Sequence, residues 1–143
     1  TIAEELQQLA TGDLGLSDDA IEVTIDEMGI HIKIKDTVLF ASGSADITNE
    51  KALLVLTKIG NALQNFPTNY IQIEGHTDNV PIHTAKYESN RYLSTARATN
   101  VYEYLMENAD LIDENMKVAG YGESRPAASN DTEEGRARNR RAC

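Results

Sequence analysis

Apolar and polar residues alternate with period two across Ile21-Glu-Val-Thr-Ile25 and again across Ile30-His-Ile-Lys-Ile34. A half-buried strand reads this way, and Asp26-Glu-Met-Gly29 between the two runs supplies turn residues, so the segment predicts a β-hairpin. Leu39 and Phe40 then open a loop of small and polar residues, Ala41-Ser-Gly-Ser-Ala-Asp46. Beyond it the period changes. Positions 52, 55, 56, 59, 62, 63 and 66 are apolar at helical spacing, with Thr48 as the expected N-cap, Glu50 and Lys51 opening the helix and Pro67 stopping it. Ile71-Gln-Ile73 predicts a short strand, and a second helix follows from about Glu88 to Asn108, carrying Leu93, Val101, Tyr104 and Leu105. Met116-Lys-Val118 predicts a third strand element, and residues 132–141 a last, very polar helix.

Ahead of the hairpin, Ile2, Leu6, Leu9 and Ala10 share one side of a short helix. Thr11 to Ala20, with two glycines and three aspartates, reads as a linker. Residues 1–20 are therefore taken as an approach segment and 21–143 as the domain. The order hairpin, helix, strand, helix, strand, tail helix predicts an α/β (α+β) fold, a mixed sheet with helices packed on one face.

Arg97 breaks the pattern of the second helix. On a helical wheel Leu93, Val101, Tyr104 and Leu105 all lie within about 80° of it, and Asn90 within about 20°. A guanidinium in the middle of an apolar face must be paired, because an unpaired buried charge costs several kcal/mol. Two partners fit: a structural carboxylate that ties the helix to the sheet, or a ligand carboxylate taken bidentately. Asp78, in Gly75-His-Thr-Asp-Asn79, leaves the end of the Ile71–Glu74 strand in a loop of the kind that holds ligands. It reads as a turn-forming residue or as the complement of Arg97. Together the two could grip the ammonium and carboxylate of an amino-acid α-centre, or pair with each other when no ligand is bound.

Thirteen Lys and Arg against 23 Asp and Glu give a net charge of −10. Such a surface repels phosphate backbones and anionic membranes within a Debye length of about 8 Å, which argues against nucleic acid as a partner. Arg136, Arg138, Arg140 and Arg141 stand beside Glu133 and Glu134 and read as a solvated, partly self-neutralised tail helix. Apolar residues make up 41%, with no run near the ~18 needed to span a membrane. The chain begins at Thr1 without a signal-peptide pattern, so any membrane segment is expected in a part ahead of it. One cysteine, Cys143, argues against an internal disulfide and a cysteine-built metal site. His76, Asp78 and His83 fall short of a zinc set, so no metal and no cofactor are expected. Ser42, Ser44 and Ser94 lack a nucleophile-elbow context, and Gly43 lacks the lysine of a phosphate loop; no catalytic residues are expected.

The segments Gly75-His-Thr-Asp-Asn79, N-x-x-L-S-x-x-R-A at 90–98, G-Y-G-E-S-x-P at 120–126 and G-R-A-x-N-R-R at 135–141 resemble the successive motifs of the OmpA-like domain. LFASGSAD at 39–46 is similar to that family's opening segment, and the resemblance spans about 37–141. It implies a βαβαβ-type sheet and non-catalytic binding of peptidoglycan through a diaminopimelate-type zwitterion of the stem peptide. By position it places the family's ligand contacts on Asp78 and Arg97, with Asn90, Arg140, Thr77 and Leu93 around them. Asp78-Asn-Val-Pro-Ile82 followed by S-N-x-x-L-S from Ser89, with a long intervening segment 79–89, is similar to the flagellar-stator (MotB) branch. Arg91 stands where that branch usually has Trp, and the ending Arg-Ala-Cys stops where an extended strand normally continues, which implies truncation or a strand supplied from elsewhere. The branch implies a cell-wall anchor, a homodimer, an ion-channel partner subunit reached through an N-terminal membrane helix, and an extracytoplasmic location in the periplasm or wall zone. The alternatives are a general envelope tether, a lipoprotein's wall-binding domain, or a wall-cleaving enzyme.

Overall fold

The computed structural model describes residues 2–17, 19–66 and 68–143. The alternating segments pair as expected, β1 (Ile21–Asp26) antiparallel to β2 (Gly29–Lys35), with Ile21 opposite Ile34 and Asp26 opposite Gly29. The turn is tighter than the sequence predicts: only Glu27 and Met28 lie between the strands. Gly29 takes φ 130°, a region that L side chains avoid, and Asp26 Oδ1 accepts from the Met28 N–H at 2.7 Å.

One helical turn, α1 (Ile2–Gln7), continues into a π-helical turn over Gln8–Asp13, and Leu6 is buried against the core. The side chains of Ile2 and Ala10 lie outside the described residues. After β2 the chain forms a short helix, α2 (Asp36–Leu39), where the sequence predicts only the approach to a loop. The first long helix, α3, runs Glu50–Leu63 and is capped by Asn49, not Thr48: the Asn49 side chain accepts from the Lys51 N–H at 2.7 Å. It ends before Phe66, which is exposed rather than on the buried face; Pro67, the expected stop, lies outside the described residues.

The next two strands are longer than predicted, β3 covering Ile71–His76 and β4 Met116–Gly122. Between them α4 (Asn90–Asn108) starts on a Ser89 cap. The last helix, α5 (Glu133–Asn139), stops two residues early, so Arg140 and Arg141 leave it. Arg141–Ala142 form β5, a two-residue strand that the element pattern of the sequence does not include. It lies between β2 and β3 and is antiparallel to both, giving the order β1-β2-β5-β3-β4 with β3 and β4 parallel. This is the mixed sheet that the element order predicts.

Val55, Leu56 and Ile59 of α3 pack with Val101 and Leu105 of α4 over Ile73 and Leu39. Each such side chain contributes about 1.5–3 kcal/mol on full burial. Tyr104 bridges the two helices through a 2.8 Å hydrogen bond with Thr57. Tyr92 is exposed as its wheel position predicts, but Tyr102 is half-buried against the core and hydrogen-bonds Asp113. Among the described residues no helix is long and apolar enough to cross a membrane.

Candidate functional site

The Ser89 cap and the helical period carry Arg97 two turns into α4 with its side chain inward, and it is only 5% exposed. Its carboxylate partner is Asp36, not Asp78: Nη1 donates to Asp36 Oδ2 at 3.3 Å. Nε donates to the Ser44 carbonyl at 2.8 Å and Nη2 to the Ala41 carbonyl at 3.2 Å, so α4 holds the small-residue loop after α2. The guanidinium carbon also lies 4.7 Å from the Phe40 ring centroid, a cation–π contact. These bonds use three of the five guanidinium N–H donors.

Asp78 follows β3 and is 6% exposed. Oδ1 accepts from the Val80 N–H at 3.0 Å, the Asx turn expected of it, and Oδ2 accepts from Arg140 Nη1 at 2.6 Å. Thr77, also buried, donates through its hydroxyl to the Asp78 carbonyl at 2.9 Å, and its N–H is held by the Gly122 carbonyl. Asn90 donates to the carbonyls of Asp78 at 3.3 Å and Val80 at 3.1 Å, tying the start of α4 to the loop. Leu93 sits beneath the 79–89 segment in a small apolar cluster with Ala45 and Tyr87.

Arg140 joins the two halves. It bonds Asp78, donates to Glu133 Oε1 at 2.9 Å, and brings Nε to 3.8 Å from Asp36 Oδ1. The result is a row of alternating charge, Arg97–Asp36–Arg140–Asp78, with Glu133 at its rim. Burial pushes the Asp36 carboxyl above its ordinary range, with Arg97 and Arg140 pulling it back. Burial likewise lowers Arg97, opposed by Asp36. For Arg140 burial is outweighed by the hydrogen bonds to Asp78 and Glu133, which raise it.

Thr77, Asp78, Asn90 and Arg140 are thus brought together, and Arg97 joins them through Asp36. Asp36 is the residue that sequence reasoning missed. Its signal was a lone carboxylate just ahead of the apolar run Val38-Leu-Phe40. His76 and Asp78 do not converge: the His76 ring turns to Glu74, and His83 Nδ1 lies 3.2 Å from the Glu88 carbonyl.

Residues 39–140 match the model of the OmpA family. The chain is 43% identical over 121 residues to Motility protein B of Bacillus subtilis, covering 85% of this chain and 46% of that protein. It therefore spans just under half the length of that relative. Among solved structures, a putative MotB-like protein from Desulfovibrio vulgaris superposes with TM-score 0.81 at 27% identity, covering 99% of this chain and 90% of that one. The cell wall anchor of the T6SS from Pseudomonas aeruginosa gives TM-score 0.77 at 31% identity, over 96% and 92%. With a family match over most of its length and an architecture shared with MotB-type proteins, the chain belongs to the OmpA family.

Proposed function

We propose that this chain binds peptidoglycan without cleaving it, taking the zwitterionic α-centre of a diaminopimelate-type stem-peptide residue at Asp78 and Arg97. The observation that carries this reading is the buried row of alternating charge. An ammonium replaces the Arg140 guanidinium at Asp78, and a carboxylate takes the remaining N–H donors of Arg97 and those that Arg140 releases. Charge is conserved in the exchange, so the site accepts a neutral zwitterion despite a net charge of −10. Thr77 and Asn90 hold the Asp78 backbone, and Leu93 supports the apolar floor.

Asp78→Ala leaves the ammonium end unpaired. Losing a buried charged contact costs about 2–5 kcal/mol, so binding to purified sacculi weakens at least about 30-fold. Unchanged sacculus pull-down by a well-folded Asp78→Ala protein overturns the assignment.

In the full-length protein we assign residues 21–143 to the wall-binding unit and 1–20 to its approach. The unit anchors a flagellar stator on the extracytoplasmic side of the membrane, as a homodimer, beside a channel-forming partner subunit. The likeness to Motility protein B supports this role. Restored swimming in a strain whose own Motility protein B lacks its wall-binding region, after graft of residues 1–143, is the expected result. Wall binding without restored swimming supports a second reading, a general envelope tether, which the T6SS cell wall anchor favours. Sedimentation equilibrium tests the dimer; a strict monomer at high micromolar concentration places dimerisation outside these residues.

A further inference from the structure

The face of the sheet away from α4 carries a second cluster of chemistry. Gly75 of β3 faces the Ser94 carbonyl of α4, so Glu74 and His76 on either side of it point to the opposite face. Across the strand gap Glu74 and Cys143 exchange both backbone hydrogen bonds, at 2.8 and 2.9 Å, which sets them directly opposite each other on that face. One donor atom each from Glu74, His76 and the free thiol of Cys143 lies within 4.8 Å of the other two.

We propose that Glu74, His76 and Cys143 form a binding site for a divalent transition-metal ion of the zinc type. The donor set selects the class. Carboxylate, imidazole and thiolate all ligate zinc, whereas magnesium and calcium take oxygen donors. Tetrahedral zinc holds such donors about 3.5 Å apart, so closing the site takes side-chain shifts of about 1 Å. Three protein ligands leave a fourth position for water.

The surroundings support the site in the manner of outer-shell partners. Gln72 donates to Glu74 Oε2 at 2.8 Å, which fixes that carboxylate and turns Oε1 toward His76 Nε2, also 2.8 Å away. His76 is 3% exposed and stacks on Tyr121 at 5.2 Å, so its ring is held in place. Nε2 is the ring nitrogen turned to Glu74, and Nδ1 is buried without a hydrogen-bond partner among the described residues. Metal binding releases the Cys143 thiol proton to solvent; burial raises that thiol, and Arg141 beside it favours the thiolate. The thiolate and the Glu74 carboxylate together neutralise a divalent ion.

The sequence reading argued against a cysteine-built site because Cys143 stands alone in the chain. Strand β5 changes this by carrying Cys143 to β3, 69 positions away from Glu74 by number.

The test titrates the reduced 143-residue chain with cobalt(II). A thiolate-to-cobalt charge-transfer band that saturates at one equivalent is expected, with zinc displacing cobalt and raising Tm. Cys143→Ser removes the band and the zinc-dependent shift. Glu74→Gln keeps the band and weakens affinity roughly 10- to 100-fold. Both positions are only half-buried, so these variants are read on folded protein, verified by circular dichroism. No charge-transfer band in the reduced wild type, or a zinc-dependent Tm shift that survives Cys143→Ser unchanged, overturns the site. An affinity that Glu74→Gln leaves unchanged overturns the three-ligand set.

Discussion

Replacing Asp36 measures how Arg97 is held. Among the described residues, Asp36→Ala removes the only carboxylate bonded to the Arg97 guanidinium, which is 5% exposed. Breaking a buried pair from one side costs about 3–5 kcal/mol, because the other charge stays behind uncompensated. Here Arg97 keeps the Ser44 and Ala41 carbonyls and the face of Phe40, which places the loss near the lower end, about 3 kcal/mol. With a urea m-value of about 2 kcal/mol/M, the unfolding midpoint falls by about 1.5 M. Asp36→Asn keeps an oxygen for Nη1 and removes only the charge, so its loss is about half as large. Asp36→Ala combined with Arg97→Met leaves neither member of the pair buried alone and recovers about 2 kcal/mol relative to the sum of the single losses. The assay is urea unfolding followed by circular dichroism on five proteins: wild type, Asp36→Ala, Asp36→Asn, Arg97→Met and the double variant. A midpoint shift below about 0.3 M for Asp36→Ala, or strictly additive losses in the double variant, would refute the pairing.

Other substitutions probe the frame around the site. A Cβ on Gly75 would lie 2.1 Å from the Ser94 carbonyl oxygen, a backbone atom that cannot swing away, so Gly75→Ala costs about 3 kcal/mol in urea unfolding. Asn139 is fully buried and bonds the Ala127 and Ala128 N–H groups, the Ala128 carbonyl and Asn130. Asn139→Ala strands those groups, costs about 2–4 kcal/mol by the same assay, and should weaken sacculus binding by loosening Arg140 next to it. Hydrogen bonds from Arg140 and Arg136 hold the exposed Glu133 carboxyl below its ordinary 4.5. A depressed carboxyl contributes stability that is present above the unfolded-state value and lost as pH falls through the folded-state value. Stability measured from pH 6 to pH 3 should therefore fall less steeply in Glu133→Gln than in wild type.

Helical periodicity alone put Arg97 on the inward face of α4, because one residue's direction follows from its neighbours a turn away. The same local logic placed the hairpin and α3 within a few residues. What it did not reach were contacts made across the chain. Asp36 meets Arg97 from 61 residues away, and Asp78 meets Arg140 from 62 away. With two carboxylates and two arginines, a local reading had no means to choose the pairing, and it joined Asp78 to Arg97. Strand β5 was illegible for a different reason. Arg141–Ala142 has neither the length nor the alternation of a strand, and it exists because β2 and β3 offer it hydrogen bonds on both sides. The α2 turn is equally short, so no apolar period could announce it.

The row of charges depends on how closely α4 lies against the sheet. Gly75 on β3 and Gly120 on β4 leave no room for a side chain; a Cβ on either would come within 2.1 Å of Ser94 or Thr95. Ser94 is fully buried in that contact, donating to the Arg91 carbonyl and accepting from the Gly122 N–H at 2.9 Å. The Gly122 carbonyl in turn holds the Thr77 N–H at 2.8 Å, one residue before Asp78. One short path therefore runs from the helix seat to the loop that carries the carboxylate. Ser94 precedes Arg97 by close to one turn, so whatever fixes the seat also fixes the depth of the guanidinium. Arg140 then closes the row from the sheet side, because β5 is threaded next to β3 and the Asp36 N–H holds its carbonyl at 3.0 Å. The glycines, Ser94 and β5 act on the row through position. They set the spacing between the buried charges of Arg97 and Asp78, and the proposed binding of a zwitterion rests on that spacing.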